Sequence, residues 1–183
     1  MLFRSVTIDP FNSVDAYYTG GNEVAFLARE LYGRIVVFDE YTGKFIPELA
    51  KSFERINPTT IDFEIRDDVT FHSGNKFSAD DVFYTLNWAI DPNVKLRNKE
   101  RYSWVSKVEK LGPNKIRLIG KEPFAADIFT IAYRFYIVDS KIHSAMPDKA
   151  NYGRANPSTT GLYKIVSVDE NKGVALERFE PNV

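Results

Sequence analysis

The chain has 183 residues, of which 44% are hydrophobic and 27% charged, and its formal net charge is -1. This composition is ordinary for one large globular domain or two small ones, and the near-neutral charge offers no basic field for nucleic acid or an anionic membrane surface. Cysteine is absent, which excludes disulfides and thiolate metal sites.

The N-terminal part of the chain predicts two strands separated by a loop and a helix. Residues 2–8 are typical of a strand, and residues 22–32 of a helix with Asn22 as its N-cap. Residues 34–38 predict a second strand, which leads into a turn at residues 40–43.

The middle of the chain predicts a hairpin and a capped helix. Residues 52–56 and 61–65 alternate apolar and polar side chains around a turn, so we interpret them as antiparallel strands with one apolar face each. Ser78 is expected to cap a helix because Asp81, three residues later, completes a capping box. The expected buried stripe of this helix consists of Val82, Phe83, Leu86 and Ile90, and Asp91-Pro92 ends it.

The remaining sequence predicts further short elements without a regular βαβ repeat. Residues 91–101 are polar and charged, which is typical of an exposed connection. After it come a hairpin (104–111 and 115–120), a helix (124–133), a helical turn (141–145), a loop (151–160) and a last hairpin (163–168 and 174–179). This mixture predicts an α+β fold with mixed sheets and several hairpins.

Four sequence motifs follow one another between residues 47 and 82. They are Pro47-Glu48-Leu49-Ala50-Lys51-Ser52-Phe53, Thr60-Ile61-Asp62-Phe63-Glu64-Ile65-Arg66, Val69-Thr70-Phe71-His72-Ser73-Gly74 and Ala79-Asp80-Asp81-Val82. In this order and spacing they resemble the signature of family 5 of the bacterial solute-binding proteins, the peptide- and nickel-binding receptors of ABC importers. Ile8-Asp9-Pro10 is similar to the opening motif of the family. Residues 157–164 are similar to its return strand but depart at Thr160 and Leu162, where glycine and proline are usual.

The resemblance covers essentially the whole chain but less than half of a complete family member. It implies the first-lobe portion of a two-lobed periplasmic-binding-protein type II fold, similar to the dipeptide-binding proteins. Segments 1–46 and 157–183 would belong to the core of that lobe, and segment 47–156 would form an added α+β subdomain. The second lobe, with most of the residues that select the ligand, would be absent.

The function implied by the resemblance is solute capture for transport. Such a protein binds oligopeptides or dipeptides in the periplasm by hinged closure of its lobes and delivers them to the permease of an ABC importer. Met1-Leu2-Phe3-Arg4 does not open a signal peptide, so we expect an export signal to precede this numbering. The apolar runs are too short for a membrane-spanning helix.

The loop before the first helix is the candidate binding segment. In the family this loop lines the ligand cleft and its backbone contacts the bound peptide, so the resemblance implies Tyr17, Tyr18, Thr19 and Gly20 as ligand-binding residues. Polar, aromatic loops on a rigid scaffold often hold ligands. On general grounds, simple packing of the two tyrosines against the lobe is an equally good interpretation.

Motifs for catalysis, cofactors or metals are missing from the sequence. The two histidines, His72 and His143, are far apart, and His72 is expected to bond its own turn rather than to act as a ligand. There is neither a G-x-S-x-G elbow nor a Gly-rich phosphate loop. We therefore expect no enzymatic activity, no cofactor and no metal site.

One alternative function stays open from the sequence. The chain could be an isolated interaction or sensory domain, derived from the same lobe and not used in transport. In either case uncovered sheet or cleft surface would favour weak self-association.

Overall fold

The computed structural model describes residues 2–5, 13–20, 22–154, 157–169 and 173–180. The strands in these residues are β1 Leu2–Ser5, β2 Val36–Asp39, β3 Lys44–Pro47, β4 Ala50–Asn57, β5 Thr60–Ile65, β6 Val105–Gly112, β7 Lys115–Gly120, β8 Tyr163–Asp169 and β9 Gly173–Arg178. The α-helices are α1 Asn22–Leu31, α2 Ala79–Ile90, α3 Asp127–Arg134 and α4 Ser140–Ala145. Strands and helices alternate irregularly, which confirms the predicted α+β class.

The central layer is an antiparallel sheet in the order β4-β5-β7-β6. It is built from the two predicted hairpins, which are joined where β5 pairs with β7. β5 has the predicted apolar face, formed by Ile61, Phe63 and Ile65, but its polar face is also largely buried and includes Asp62. The Asp62 carboxylate accepts hydrogen bonds of 2.7 and 2.9 Å from the guanidinium of Arg117, and these bonds lower its pKa. A paired charge can be buried where an isolated one could not.

A second sheet brings the two ends of the chain together. The predicted hairpin of β8 and β9 is confirmed, and β1 pairs antiparallel with the other edge of β9, from Leu2 opposite Glu177 to Ser5 opposite Val174. The last part of the first predicted strand, residues 6–8, lies outside the described residues. The described sheet order is therefore β1-β9-β8.

A third pair of strands adds an element that the sequence did not predict. β2 begins at Val36, two residues later than expected, and pairs with β3 across the predicted turn at 40–43. β3 is short and largely exposed, so it lacks the alternation of buried and exposed positions by which a strand is recognised.

Helix α2 packs its apolar side against the central sheet and the neighbouring helix α4. Val82 and Leu86 are fully buried, as predicted, but the predicted burial of Phe83 is wrong, since 36% of its surface is exposed. The buried positions are 79, 81, 82, 85, 86 and 89; all but 81 have the spacing of one helical face, and Asp81 belongs to the capping box. Phe83 directly follows the buried Val82, and consecutive side chains of a helix point about 100° apart, so Phe83 lies at the solvent side.

The start of α2 is closed by the predicted capping box. The hydroxyl of Ser78 accepts a hydrogen bond of 3.2 Å from the backbone N–H of Asp80, and the carboxylate of Asp81 accepts one of 2.9 Å from the N–H of Ser78. The Asp81 carboxylate also reaches the first residue of α4, accepting hydrogen bonds from the N–H and hydroxyl of Ser140 at 3.0 and 2.6 Å. One side chain thus links the beginnings of two helices.

Replacing Ser78 with alanine is expected to lower the free energy of unfolding by about 1 kcal/mol, because one N-terminal amide of α2 loses its acceptor. Urea denaturation followed by circular dichroism measures this change. Ser106→Ala, at an exposed position of β6, is the control and should leave the midpoint unchanged. An unchanged midpoint for Ser78→Ala would show that the cap contributes nothing to the stability of α2.

The predicted helix at 124–133 begins later than expected, at Asp127. Phe124, expected on its buried side, instead lies before the helix and packs its ring 5.3 Å from that of Trp104. After α3 the short apolar run from Tyr136 to Val138 is buried without forming a strand of its own. It carries the chain through the core to the buried Asp139 that caps α4.

His72 bonds a distant segment rather than its own turn. Its Nε2 donates a hydrogen bond of 2.9 Å to the carbonyl of Gly161, and the hydroxyl of Thr159 lies 3.2 Å from its Nδ1. Its backbone N–H donates to the carbonyl of Thr159 at 2.8 Å. The interpretation of His72 as a structural residue therefore agrees with its surroundings, but the predicted partner was wrong.

Candidate functional site

The loop that precedes α1 is fixed by the buried side chain of Asp15. Its carboxylate accepts hydrogen bonds from the backbone N–H groups of Tyr17 and Tyr18 at 2.7 and 2.8 Å. This is the turn that an aspartate makes with the backbone two and three residues ahead. Burial raises the pKa of the Asp15 carboxyl to about 6 in spite of these donors. The loop backbone is thus held in one conformation, as a binding wall requires.

Tyr17, the first candidate ligand-binding residue, has its side chain in the core. Its hydroxyl donates to the carbonyl of Tyr136 at 2.8 Å and accepts from the N–H of the same residue at 3.1 Å. Its ring meets Trp88 edge to face at 4.8 Å. With 3% of its surface exposed, Tyr17 offers a ligand no side-chain contact in this conformation.

The other three candidate residues, Tyr18, Thr19 and Gly20, lie in two different environments. Tyr18 is half-buried and its ring lies 6.1 Å from that of Trp88, on the side of α2. Thr19 and Gly20 turn the other way and line a surface cavity. The structure therefore brings Thr19 and Gly20 together at the candidate site, whereas Tyr17 and Tyr18 do not line this cavity.

The cavity beside Thr19 and Gly20 has a volume of about 450 Å³, within the range of small-molecule sites. Three parts of the chain form its remaining walls: helix α1, the turn at 97–102 and the end of α3. The other lining residues are Ala16, Val24, Ala25, Arg29, Arg97, Asn98, Arg101, Tyr102, Arg134 and Tyr136.

The connection at residues 91–101 contributes to this cavity, which its polar composition did not predict. Residues 91–101 were expected to form an exposed connection, and most of them do, but Leu96 is buried and a 3-10 helix runs from Lys99 to Tyr102. The N–H of Arg97 donates to the carbonyl of Tyr17 at 3.2 Å, which seats this connection against the candidate loop. The available signal was the mixture of basic and aromatic side chains at residues 95–104, which is also typical of a solvated face.

A second cavity, of about 490 Å³, lies between α1, residues 66–70 and residues 160–162. Its charged side chains include two pairs that neutralise each other, Arg34 with Glu48 at 3.4 Å and Arg66 with Asp68 at 2.8 Å. These groups are therefore less available to a charged ligand than those beside Thr19 and Gly20.

The described residues contain no group of three His, Asp or Glu side chains arranged to hold a metal ion. His143 is buried among the rings of Tyr84, Trp88 and Tyr152. Of the helices described, none is long and apolar enough to span a membrane.

The family of the chain follows from comparison with known sequences. The pattern of the family described as "Bacterial extracellular solute-binding proteins, family 5 Middle" matches residues 44–181, which is most of the chain. The chain belongs to this family. The match includes the four motifs and the return strand, so the resemblance is confirmed.

Individual relatives agree with this assignment. The peptide transport periplasmic protein SapA of Salmonella typhimurium is 27% identical over an alignment 194 residues long, which covers 94% of this chain and 35% of SapA. The glutathione-binding protein GsiB of Pectobacterium atrosepticum is 25% identical over 170 residues, which span 92% of this chain and 32% of GsiB. The chain therefore spans about a third of the length of these relatives.

Solved structures establish the fold. The oligopeptide-binding protein AppA of Bacillus subtilis, in complex with a nonapeptide, superposes with a TM-score of 0.84 at 21% identity, over 94% of this chain and 35% of AppA. DppA of Helicobacter pylori, in complex with the peptide STSA, gives a TM-score of 0.79 at 20% identity, over 94% and 38%. The fold is thus the predicted portion of a periplasmic-binding-protein fold.

Proposed function

We propose that this chain is part of the substrate-binding component of an ABC importer for oligopeptides or dipeptides. The observation that carries the proposal is the family match over residues 44–181. SapA is named for peptide transport, and AppA and DppA were solved with peptides bound, which supports a peptide as the solute. Because these relatives are solute-binding proteins, the proposed activity is reversible capture without catalysis.

The proposed domain arrangement places the chain in the first lobe. Segments 1–46 and 157–183 would form part of the lobe core, and segment 47–156 the added subdomain. The pairing of β1 with β9 supports the first part of this proposal, since it joins the two outer segments. The sheet β4-β5-β7-β6 supports the second, since all its strands come from the middle segment.

The proposed binding wall is the loop 17–20, with Thr19 and Gly20 facing the solute and Tyr17 and Tyr18 supporting them from behind. Its rigidity supports this role, because a preformed wall loses little entropy on binding. A second lobe would close over the solute, and the closed form would be the one recognised by the permease. The proposed location is the periplasm, which is the location given in the names of SapA and DppA.

The isolated chain is expected to bind peptides at least a hundredfold more weakly than a polypeptide in which a second lobe completes the fold. Burial between two walls supplies most of the affinity for a small ligand, and one wall leaves half of the ligand in water. Calorimetry with a set of dipeptides and longer peptides measures both affinities. Sedimentation over a concentration series measures the proposed weak self-association in the same samples.

Two results would count against these proposals. Binding at micromolar or lower concentration by a strictly monomeric 183-residue chain would place the whole site within this lobe. If the two-lobed polypeptide binds no peptide at all, the transport function proposed for peptides is wrong, and the interaction or sensory domain becomes the better explanation.

A further inference from the structure

The cavity beside Thr19 and Gly20 is lined by cationic side chains. Four arginines reach it from three different parts of the fold: α1, the turn at 97–102 and the end of α3. They are Arg29, Arg97, Arg101 and Arg134. Among the described residues that line this cavity there is no aspartate or glutamate. The local charge is therefore positive although the chain as a whole carries a formal charge of -1.

These four guanidinium groups lack carboxylate partners within the described part of the chain. Four arginines elsewhere do form ion pairs, with nitrogen–oxygen distances between 2.7 and 3.4 Å: Arg34, Arg55, Arg66 and Arg117. Of the cavity arginines, Arg29 is partly occupied because it lies 4.9 Å from the centre of the Tyr133 ring and forms a side-chain hydrogen bond with Tyr136. The cavity thus gathers hydrogen-bond donors with fixed positive charge that remain available to a ligand.

The side chain of Arg97 lies directly against Gly20 of the candidate loop. A Cβ atom added to Gly20 would lie only 2.4 Å from the Cζ of Arg97, so the guanidinium fits there because residue 20 has no side chain. The backbone of Arg97 is also bonded to the loop, through the 3.2 Å hydrogen bond to the carbonyl of Tyr17. The guanidinium therefore forms one surface with the backbone of the proposed binding wall.

We propose that this cavity selects acidic peptides, by holding carboxylates of the solute against Arg97 and its neighbouring arginines. This inference rests on the proposed function, since it names the class of solute that the wall at Thr19 and Gly20 would take. Guanidinium and carboxylate form paired, charge-assisted hydrogen bonds, which are among the strongest polar contacts in proteins. An incoming carboxylate would also relieve the repulsion among the gathered cations.

Arg97 is the residue on which the inference depends most. Arg101 and Arg134 also border a neighbouring cavity that contains Glu100 and Glu122, so part of their charge is balanced from that side. Arg29 contacts Tyr133 and Tyr136 and also borders the second cavity, which contains Glu48 and Asp68. Arg97 borders none of the other cavities described and is exposed to solvent.

The test is a nuclear magnetic resonance titration of the isotope-labelled 183-residue chain with two matched peptides. Glu-Gly-Glu carries three carboxylates and Gln-Gly-Gln carries one, with nearly the same shape. We expect Glu-Gly-Glu to shift the amide signals of Thr19 and Gly20 and the Nε signal of Arg97, with an association constant about tenfold higher than that of Gln-Gly-Gln at low salt. Most of this preference should disappear at about 0.5 M salt.

Two variants test whether the binding of Glu-Gly-Glu depends on an arginine of the cavity. Arg97→Gln should lower the association constant for Glu-Gly-Glu about fivefold or more, since it removes the charge and the paired donors. Arg178→Gln, which removes an exposed arginine of β9 outside the cavity, should change it less than about twofold.

The possible failures separate the two proposals. Equal binding of both peptides at Thr19 and Gly20 would overturn the preference for acidic solutes and leave the proposed peptide-binding function standing. A preference for Glu-Gly-Glu that survives Arg97→Gln, with shifts elsewhere on the chain, would overturn this cavity as the carboxylate site. Absence of any shift at the loop with either peptide would overturn the inference, whereas the proposed function depends on whether the two-lobed polypeptide binds peptide.

Discussion

Replacing Asp139 with alanine is expected to lower the free energy of unfolding by about 3–4 kcal/mol, the largest effect of any single side chain considered. Asp139 is fully buried, and its Oδ2 accepts hydrogen bonds from the hydroxyls of Ser73 and Ser158 at 2.7 and 3.0 Å and from the amide of Asn75 at 2.9 Å. Its Oδ1 accepts a weaker one of 3.4 Å from the N–H of Ile142, which caps α4.

The size of this effect follows from the hydrogen-bond donors that would lose the Asp139 carboxylate as their acceptor. The buried Ser158 and the half-buried Asn75 lose their acceptor, whereas the exposed Ser73 can bond water, and each unsatisfied polar group costs about 1 kcal/mol or more. The loss of the N-cap adds about 1 kcal/mol. These donors come from three separate segments: the turn at 73–75, the start of α4 and the loop at 157–159. Asp139 thus joins the middle of the chain to the segment that leads into β8.

Urea denaturation at neutral pH measures this loss. Asp148→Ala is the matched control, because Asp148 is also a capping aspartate but is exposed, and its carboxylate accepts only from the N–H of Ala150 and the side-chain amide of Asn151 among the described residues, each at 3.0 Å. The control should cost about 1 kcal/mol or less. If Asp139→Ala costs no more than the control, water replaces the carboxylate without penalty and the buried network does not hold these segments together.

The elements that the sequence predicted well are those determined by residues close together in the chain. The capping box of Ser78 and Asp81 closes within three residues, and both central hairpins turn at short loops rich in Pro, Gly and Asn. The errors have a different origin. Phe124 was assigned to the buried side of a helix, but its contact with Trp104 could not be seen from spacing alone.

The candidate site shows the same limit more clearly. The resemblance pointed to one loop, but only the fold decides which of its side chains face outward. Tyr17 is buried because its hydroxyl bonds the backbone of Tyr136, which lies 119 positions away in the sequence. The four arginines of the cavity likewise come from positions 29, 97, 101 and 134, and no local pattern connects them. Recognising such a site from the sequence requires knowing the tertiary contacts.

The second large expected effect is a loss of folding stability at acid pH. The chain is expected to lose about 2–3 kcal/mol of stability through His143 alone between about pH 7 and pH 4.5. Burial lowers the pKa of this imidazole from its usual 6.5 to about 4, and the charge of Lys149 acts in the same direction. The hydroxyl of Tyr84 lies 2.8 Å from its Nδ1, and the ring of Trp88 lies 4.6 Å away, edge to face.

The sign of this effect follows from which state binds the proton. In the unfolded chain His143 takes up a proton near pH 6.5, whereas in the folded chain it stays neutral until about pH 4. Between these values the unfolded state binds more protons, so acid favours unfolding, and the full stability is present only above pH 6.5. Asp15 acts in the opposite direction, because burial raises its pKa to about 6 and the folded chain takes up that proton first.

The comparison of wild type with His143→Gln isolates the histidine from Asp15 and other groups, which titrate alike in both proteins. Glutamine keeps a polar partner for Tyr84 but does not titrate, so the stability gap between the two proteins should shift by about 2–3 kcal/mol in favour of the variant as the pH falls to 4.5. His72→Gln serves as the control for the second histidine: its pKa is also lowered by burial, but it is only half-buried, so we expect a smaller shift. A gap between wild type and His143→Gln that stays constant from pH 7 to pH 4.5 would mean that the folded chain protonates His143 as readily as the unfolded one. The ring contacts with Tyr84, Trp88 and Tyr152 would then not exclude the charge, and the packing behind the candidate loop would be looser than the distances indicate.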